Sequence, residues 1–129
     1  MAELEKTMFR TYDIRGKVNE KELNENSICL IGKGFGTMLA KKEIKECIVG
    51  FDARAYSEKL AKALIKGLAE TGINIVNIGM VTTPVSYFSQ YYFKTKGLAM
   101  VTASHNPNGW SGLKLGYDYS STLLPADIE

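Results

Sequence analysis

Ser104 and His105 stand side by side in the run Thr102-Ala103-Ser104-His105-Asn106-Pro107-Asn108-Gly109-Trp110-Ser111-Gly112, and Lys114 follows ten residues after the serine. The run joins an apolar stretch, Gly97-Leu98-Ala99-Met100-Val101, to an alternating one, Leu113-Lys114-Leu115. The serine therefore sits at the exit of an expected buried strand, beside the only histidine of the chain. Asn-Pro and Asn-Gly pairs turn the backbone sharply, because proline fixes φ and glycine permits positive φ. A hydroxyl on a tight loop, with a histidine and a cation near it, suits covalent chemistry on a phosphate.

The elements that must position this loop alternate between helix and strand. Ile28, Ile31, Phe35, Met38 and Leu39 recur at helical spacing, which predicts a helix over about residues 26–42. Cys47-Ile48-Val49 marks a short buried strand that ends at Gly50-Phe51-Asp52. Ser57 is placed to cap the next helix, with Glu58 in its first turn. Leu60, Ala61, Leu64, Ile65 and Leu68 form that helix's apolar stripe, and Gly72 stops it. A second strand is expected over residues 73–80, and Thr82-Thr83-Pro84 opens a third helix, since proline suits a first helical position. Strands over residues 98–102 and 112–117 complete the pattern. Helices between buried strands imply a mostly parallel sheet of about four strands covered on both faces, a three-layer α/β/α fold. The short Asn-Gly link before the last strand implies an antiparallel edge. Ligands of such sheets bind beyond the carboxyl ends of the strands. Here those ends are Asp52-Ala53-Arg54, Gly79-Met80-Val81-Thr82 and Ser104-His105.

Composition removes several function classes. The 129 residues fit one domain, and 45% hydrophobic content supports a real core. Sixteen basic and 14 acidic residues interleave to a net charge of +2, with no basic block for nucleic acid. The longest apolar runs fall far short of the roughly 18–20 residues that span a bilayer, and the first residues lack the apolar core of a signal peptide. Cys29 and Cys47 lie without Cys-x-x-Cys spacing, so two reduced, largely buried thiols of a cytoplasmic protein are expected. Three local motifs fail on context. Gly32-Lys33-Gly34-Phe35-Gly36 lies inside a helical pattern and lacks dinucleotide spacing, so its small residues serve close helix packing. Ser111-Gly112-Leu113-Lys114 has the S-x-x-K order but sits on a strand, and Ser104 lacks the flanking glycines of a G-x-S-x-G elbow.

Four segments in order carry a further signal: Phe9-Arg10-Thr11-Tyr12-Asp13-Ile14-Arg15-Gly16, Val49-Gly50-Phe51-Asp52-Ala53-Arg54, Gly79-Met80-Val81-Thr82-Thr83-Pro84 and Thr102-Ala103-Ser104-His105-Asn106-Pro107. Taken alone, the first reads as a capping strand whose charges pair on the surface. Together they resemble the α-D-phosphohexomutases, and the Tyr-Asp-Ile-Arg-Gly form resembles their phosphomannomutase/phosphoglucomutase branch. The likeness runs from Phe9 to Lys114.

The resemblance implies that Ser104 is the active-site phosphoserine, which passes its phosphoryl group to a hydroxyl of a hexose monophosphate and recovers another from the reoriented bisphosphate. It implies that Arg15 and Lys114 support proton transfer at the sugar hydroxyl, with Tyr12 and His105 lining the cleft. Thr102 and Asn106 join Tyr12 as substrate- or phosphate-binding positions, and Asn106 and Pro107 shape the loop. It also implies Mg²⁺ bound to the Ser104 phosphate and to aspartates outside this chain, and a hexose 1,6-bisphosphate activator. A phosphoserine carries about −1.5 to −2 charges, which Arg15, Lys114 and Mg²⁺ would offset. Asp52 and Arg54 read as an ion pair supporting the serine loop.

Two departures qualify the likeness. Ser111 stands where the family often has asparagine, and no Asp-Gly-Asp-Gly-Asp run is present. The chain therefore reads as the N-terminal domain, residues 1–129, of a longer cytoplasmic enzyme, inactive alone, whose partners are a phosphosugar and the remaining domains. A non-catalytic phosphate-binding or regulatory module is the alternative. A serine hydrolase built on Ser104 and His105 ranks last, since adjacent residues rarely reach nucleophile–base geometry.

Overall fold

Cys47, Ile48, Val49, Ala99, Met100 and Val101 have no exposed surface, and the two runs that carry them lie side by side at the middle of a sheet. The computed structural model describes residues 3–128. Its strands are β1 (Ile14–Lys17), β2 (Glu46–Phe51), β3 (Asn74–Met80), β4 (Gly97–Val101) and β5 (Trp110–Gly116). Its helices are α1 (Glu25–Lys41), α2 (Ser57–Glu70), α3 (Thr83–Phe93) and a short α4 (Pro125–Ile128). The sheet order is β1-β5-β4-β2-β3. β2 pairs parallel with β3 and β4, while β5 pairs antiparallel with both β4 and β1.

The α/β class and the mixed sheet follow the sequence expectation, with five strands rather than about four and equal numbers of parallel and antiparallel pairings. The difference is β1. The N-terminal segment adds an outer strand, so β5 becomes an interior strand and the sheet's antiparallel edge is β1. Four residues that include a glycine and two cations carry no strand periodicity of their own, and Ile14 is the only one that reaches the core cluster.

Ile28, Ile31, Phe35 and Leu39 of α1 and Leu60, Leu64 and Leu68 of α2 pack with Cys47, Val49, Phe51, Val101 and Leu113 in one apolar cluster. Strand alternation turns Ile48, Leu98 and Met100 to the opposite face, where α3 packs on β4 and β2. α3 meets the sheet with Ser86, Ser89 and Gln90, and each serine hydroxyl donates to a carbonyl of the preceding turn. Its aromatic residues Phe88, Tyr91 and Tyr92 stay exposed. Because Ile14 and Leu113 face α1 and α2, their neighbours Arg15 and Lys114 face the other side, over the part of the sheet next to α3.

The helix ends differ from expectation in two places. α1 begins at Glu25, one residue early, because Asn24 and Ser27 form a reciprocal capping box, the Asn24 side chain accepting from Ser27 N–H at 2.9 Å and Ser27 Oγ accepting from Asn24 N–H at 3.0 Å. Ser57 does not cap α2. It is the first helical residue, and its hydroxyl donates to the Asp52 carboxylate, a charge-assisted bond that outcompetes a helix N–H. Both cysteines are free, but only Cys47 is fully buried, where burial pushes its thiol pKa up, and Cys29 is half-buried. Among the described residues no helix is long and apolar enough to cross a membrane.

α1 and α2 approach closely through glycines. A Cβ on Gly67 would stand 2.1 Å from the Cys29 carbonyl oxygen, and one on Gly32 would stand 2.7 Å from that of Leu64. Of the three glycines expected to serve helix packing, Gly32 meets the α2 backbone and Gly36 the Thr71 side chain, whereas Gly34 faces open space; Gly67 supplies the other half of the backbone contact. Gly67→Ala is expected to destabilise the fold by about 2–3 kcal/mol by forcing the helices apart. Urea denaturation measures this as a lower midpoint, and an unchanged midpoint would contradict the contact.

Candidate functional site

β4 ends at Val101, and the chain then turns through residues 102–109 into β5. Within that turn Ser104 adopts a φ of +54°, a left-handed conformation that costs a non-glycine residue about 1–2 kcal/mol. A set of hydrogen bonds from below holds it there. Ser104 N–H donates to Thr102 Oγ1 at 3.0 Å, and the Thr102 hydroxyl donates to Asp52 Oδ2 at 3.1 Å. Ala103 N–H donates to the same oxygen at 3.2 Å, while Arg54 N–H and the Ser57 hydroxyl take Oδ1. Burial pushes the Asp52 pKa up, but the bonds from Ser57, Arg54, Ala103 and Thr102 outweigh it and hold the carboxyl below the ordinary carboxylate value.

Arg54 grips the loop from the side. Its guanidinium donates to the carbonyls of Pro107 at 2.8 Å, Asn106 at 2.6 Å and Ser104 at 3.5 Å, and stands 3.6 Å from Asp52. The expected Asp52–Arg54 pair is present, and its wider work is to bind loop carbonyls. Tyr56 braces the loop's far end, accepting from Gly109 N–H at 3.0 Å and donating to the Trp110 carbonyl. Gly109 has a φ of +92°, the conformation that its Asn-Gly pair predicts.

The cations form a second group on the neighbouring strands. Arg15 Nε lies 2.8 Å from Asp13 Oδ2, and Lys114 Nζ lies 3.6 Å from the same oxygen. Arg15 Nη1 also donates to Asn106 Oδ1 at 3.2 Å, which ties the cations to the serine loop. Gly112 sits opposite Arg15 in the β1–β5 register, and a Cβ there would meet the Ile14 carbonyl at 2.3 Å. Arg15, Lys114 and Tyr12 line a cavity of about 730 Å³ with Phe9, Arg10, Thr11, Asp13 and Ile128.

The structure therefore joins Thr102, Ser104, Asn106 and Arg15 through hydrogen bonds, and groups Arg15, Lys114 and Tyr12 at one cavity. Ser104 and His105 are exposed at the loop tip and do not line that cavity. The Thr102 side chain is buried and its hydroxyl is committed to Asp52 and Ser104 N–H, so it scaffolds the loop. The amide oxygen of Asn106 orients Arg15. Of the three strand ends expected to converge, β2 and β4 meet at the loop. The β3 end makes no side-chain hydrogen bond or ion pair to it among the described residues, and Met80 is exposed. Sequence reading assigned no role to Asp13, Tyr56 or the Asp52 bond of Ser57. Asp13 had a signal, lying two residues before Arg15, whereas Tyr56 is visible only once the loop is folded beside α2. The Ser111 hydroxyl is fully buried without a hydrogen-bond partner among the described residues, so the position offers no polar contact of the kind an asparagine would need.

No group of three or more His, Cys, Asp or Glu side chains among the described residues is arranged to hold a metal ion. Asp52, the carboxylate that supports the Ser104 loop, already accepts bonds on both oxygens. These residues alone do not fit a magnesium site.

Residues 6–129 match the family model described as phosphoglucomutase/phosphomannomutase, alpha/beta/alpha domain I. A phosphomannomutase of Escherichia coli K12 is 44% identical over 109 residues, covering 84% of this chain and 23% of the relative. A phosphoglucomutase of Neisseria meningitidis is 36% identical over 115 residues, covering 89% of this chain and 25% of the relative. The chain thus spans about a quarter of the length of these relatives. Among solved structures, a phosphoglucomutase/phosphomannomutase family protein of Burkholderia thailandensis superposes with a TM-score of 0.89 at 27% identity, covering 98% of this chain and 29% of that one.

Two predictions follow from the loop's supports. Arg54→Lys keeps the charge but cannot reach three carbonyls, so amides of residues 103–109 should exchange with solvent about tenfold faster or more; unchanged protection in hydrogen-exchange mass spectrometry would contradict the role of the guanidinium. The stability that Asp52 contributes is whole above the ordinary carboxylate pKa and is lost as pH falls through its lower folded value. Asp52→Asn should therefore lower stability at neutral pH and flatten its fall below about pH 4. Urea unfolding at a series of pH values reads both effects, and parallel curves for the two proteins would contradict them.

Proposed function

The chain belongs to the phosphoglucomutase/phosphomannomutase family, and from that premise we propose that it is the catalytic-serine domain of a phosphohexomutase. The enzyme interconverts hexose 1-phosphate and hexose 6-phosphate, with glucose or mannose as the sugar. Ser104 in its phosphorylated form gives its phosphoryl group to a free hydroxyl of the sugar phosphate. The hydroxyl proton leaves, the Ser104 Oγ–P bond breaks, and a sugar bisphosphate remains bound. After reorientation the other phosphoryl group returns to Ser104, so phosphate and protons balance over the cycle.

The observation that carries this reading is the left-handed Ser104 at the exit of β4. It projects an exposed side chain from a loop held by Asp52 and Arg54, beside the Asn106–Arg15–Asp13–Lys114 chain of contacts. Phosphoryl transfer depends on positioning and positive charge more than on covalent machinery. Arg15 and Lys114 supply that charge, placed by Asp13, and support proton transfer at the sugar hydroxyl. Tyr12, exposed at the cavity rim, meets the sugar. His105, exposed beside Ser104 at the loop tip and off the wall of that cavity, stands next to the transferring phosphoryl group. Mg²⁺ would be held by the Ser104 phosphate together with carboxylates outside residues 1–129 and would offset charge on the transferring phosphoryl group, and hexose 1,6-bisphosphate serves as activator by restoring the phosphoserine.

The remaining domains of the same polypeptide complete the site. Relatives about four times longer support this, as does the exposed aromatic face of α3, the kind of apolar area that interfaces cover. The protein acts in the cytoplasm on a soluble phosphosugar. In the full-length gene product, Ser104→Ala should cut mutase turnover by on the order of a thousandfold or more, measured with hexose 1-phosphate and added bisphosphate. Turnover near the wild-type rate would remove the reading. Residues 1–129 alone should show negligible turnover, and sustained activity from them would show that the later domains are dispensable.

A further inference from the structure

The cavity of about 730 Å³ beside the serine loop has three cations on its wall, Arg10, Arg15 and Lys114, against one carboxylate, Asp13. That carboxylate is already shared. Its Oδ2 takes both Arg15 and Lys114, and Arg15 spends a further N–H on Asn106. Arg10 differs from both. Its backbone N–H donates to the Asp13 carbonyl at 2.9 Å, and an isolated bridge joins Phe9 to Ile14. Together these fold residues 10–13 into a tight reversal that brings Arg10 to the cavity wall with Tyr12. Its guanidinium makes no hydrogen bond or ion pair among the described residues. The five N–H donors of an arginine form a planar fork that matches a phosphate oxygen pair. An excess of positive charge around an open space suits a phosphate monoester, which carries about −1.5 to −2 charges at neutral pH.

We propose that Arg10 is a substrate-binding residue of this cavity, whose guanidinium receives phosphate oxygens of the sugar phosphate while Asp13 keeps Arg15 and Lys114 aimed at the reacting hydroxyl. This rests on the phosphohexomutase reading and divides the three cations by task. Two are neutralised in part and fixed by a shared carboxylate. The third is uncommitted and reaches the ligand with its fork intact. The chemistry that Arg10 recognises is the phosphate group, whether carried by a hexose or free in solution.

The test uses the full-length gene product with Arg10→Ala and Arg10→Lys, hexose 1-phosphate as substrate, and inorganic phosphate and unphosphorylated glucose as competitors. Arg10→Ala should raise KM about tenfold or more, and raise the inhibition constant of inorganic phosphate by a similar factor. Inhibition by glucose should not change. Arg10→Lys, which keeps the charge and loses the fork, should fall between wild type and alanine. Both variants keep the backbone N–H that closes the turn, so their melting temperatures should match wild type. KM and phosphate inhibition both within about twofold of wild type would overturn the proposal. So would a rise in KM without a matching change in phosphate inhibition, which would assign Arg10 to hydroxyls instead. A Ser104→Ala control separates the two claims. If it abolishes turnover while Arg10→Ala changes nothing, only the Arg10 assignment falls; if it leaves turnover intact, the mutase reading itself falls.

Discussion

The carboxylate of Asp52 is the point on which the serine loop depends. It lies at the carboxyl end of β2, yet four groups from three separate segments converge on it: the Ala103 amide, the Thr102 hydroxyl, the Arg54 amide and the Ser57 hydroxyl. An ionised acceptor can satisfy several donors at once, and each such bond is stronger than its neutral counterpart. The result fixes the start of the loop relative to both the central sheet and the first turn of α2. Ser104 can then occupy a left-handed backbone conformation whose cost the surrounding bonds offset. Arg54 completes the arrangement by gathering the loop carbonyls of Asn106 and Pro107. A serine held this way presents its hydroxyl without having to use it for its own support.

A second carboxylate does comparable work on the neighbouring strands. Asp13 takes Arg15 and Lys114 on one oxygen, so two like charges from β1 and β5 are held close together without free repulsion. The β1–β5 pairing makes this possible, because Ile14 and Leu113 are buried on one face and so direct Arg15 and Lys114 to the other. Asn106 links the two halves through its amide oxygen. Core packing under α1 and α2 thereby determines where the cations stand on the opposite face of the sheet.

Most of the layer pattern was legible in the residues. The apolar runs around Val49 and Met100 mark the central strands, the stripe from Leu60 to Leu68 marks α2, and Pro84 marks the start of α3. β1 was legible only as a capping strand with paired charges and not as a member of the main sheet, since Ile-Arg-Gly-Lys offers one buried apolar side chain and owes its place to pairing with β5. The α3 interface was hidden for a related reason. Its inward face is Ser86, Ser89 and Gln90, which pack closely because they are small or bonded to backbone, while the aromatic residues that periodicity would turn inward stay outside. At the candidate site, Ser104 and Lys114 could be singled out by type and spacing, and Arg15 through the resemblance that its segment carries. The scaffolding use of Thr102 and Ser57, and the bracing by Tyr56, depend on long-range proximity to Asp52 and to the loop, which no local pattern carries.

Direct detection of phosphate on Ser104 bears most closely on the whole account. The full-length gene product, incubated with hexose 1,6-bisphosphate, digested and mapped by mass spectrometry, should carry one phosphate on the peptide that spans Ser104, and fragmentation should place it on that residue. When the phosphates of the bisphosphate carry heavy oxygen, that label should pass from Ser104 to the sugar phosphates on addition of excess unlabelled hexose monophosphate while Ser104 keeps a phosphate, and the matching peptide of Ser104→Ala should carry none. Phosphate that never appears on Ser104, or labelled phosphate that stays there without exchange during turnover, would contradict the account.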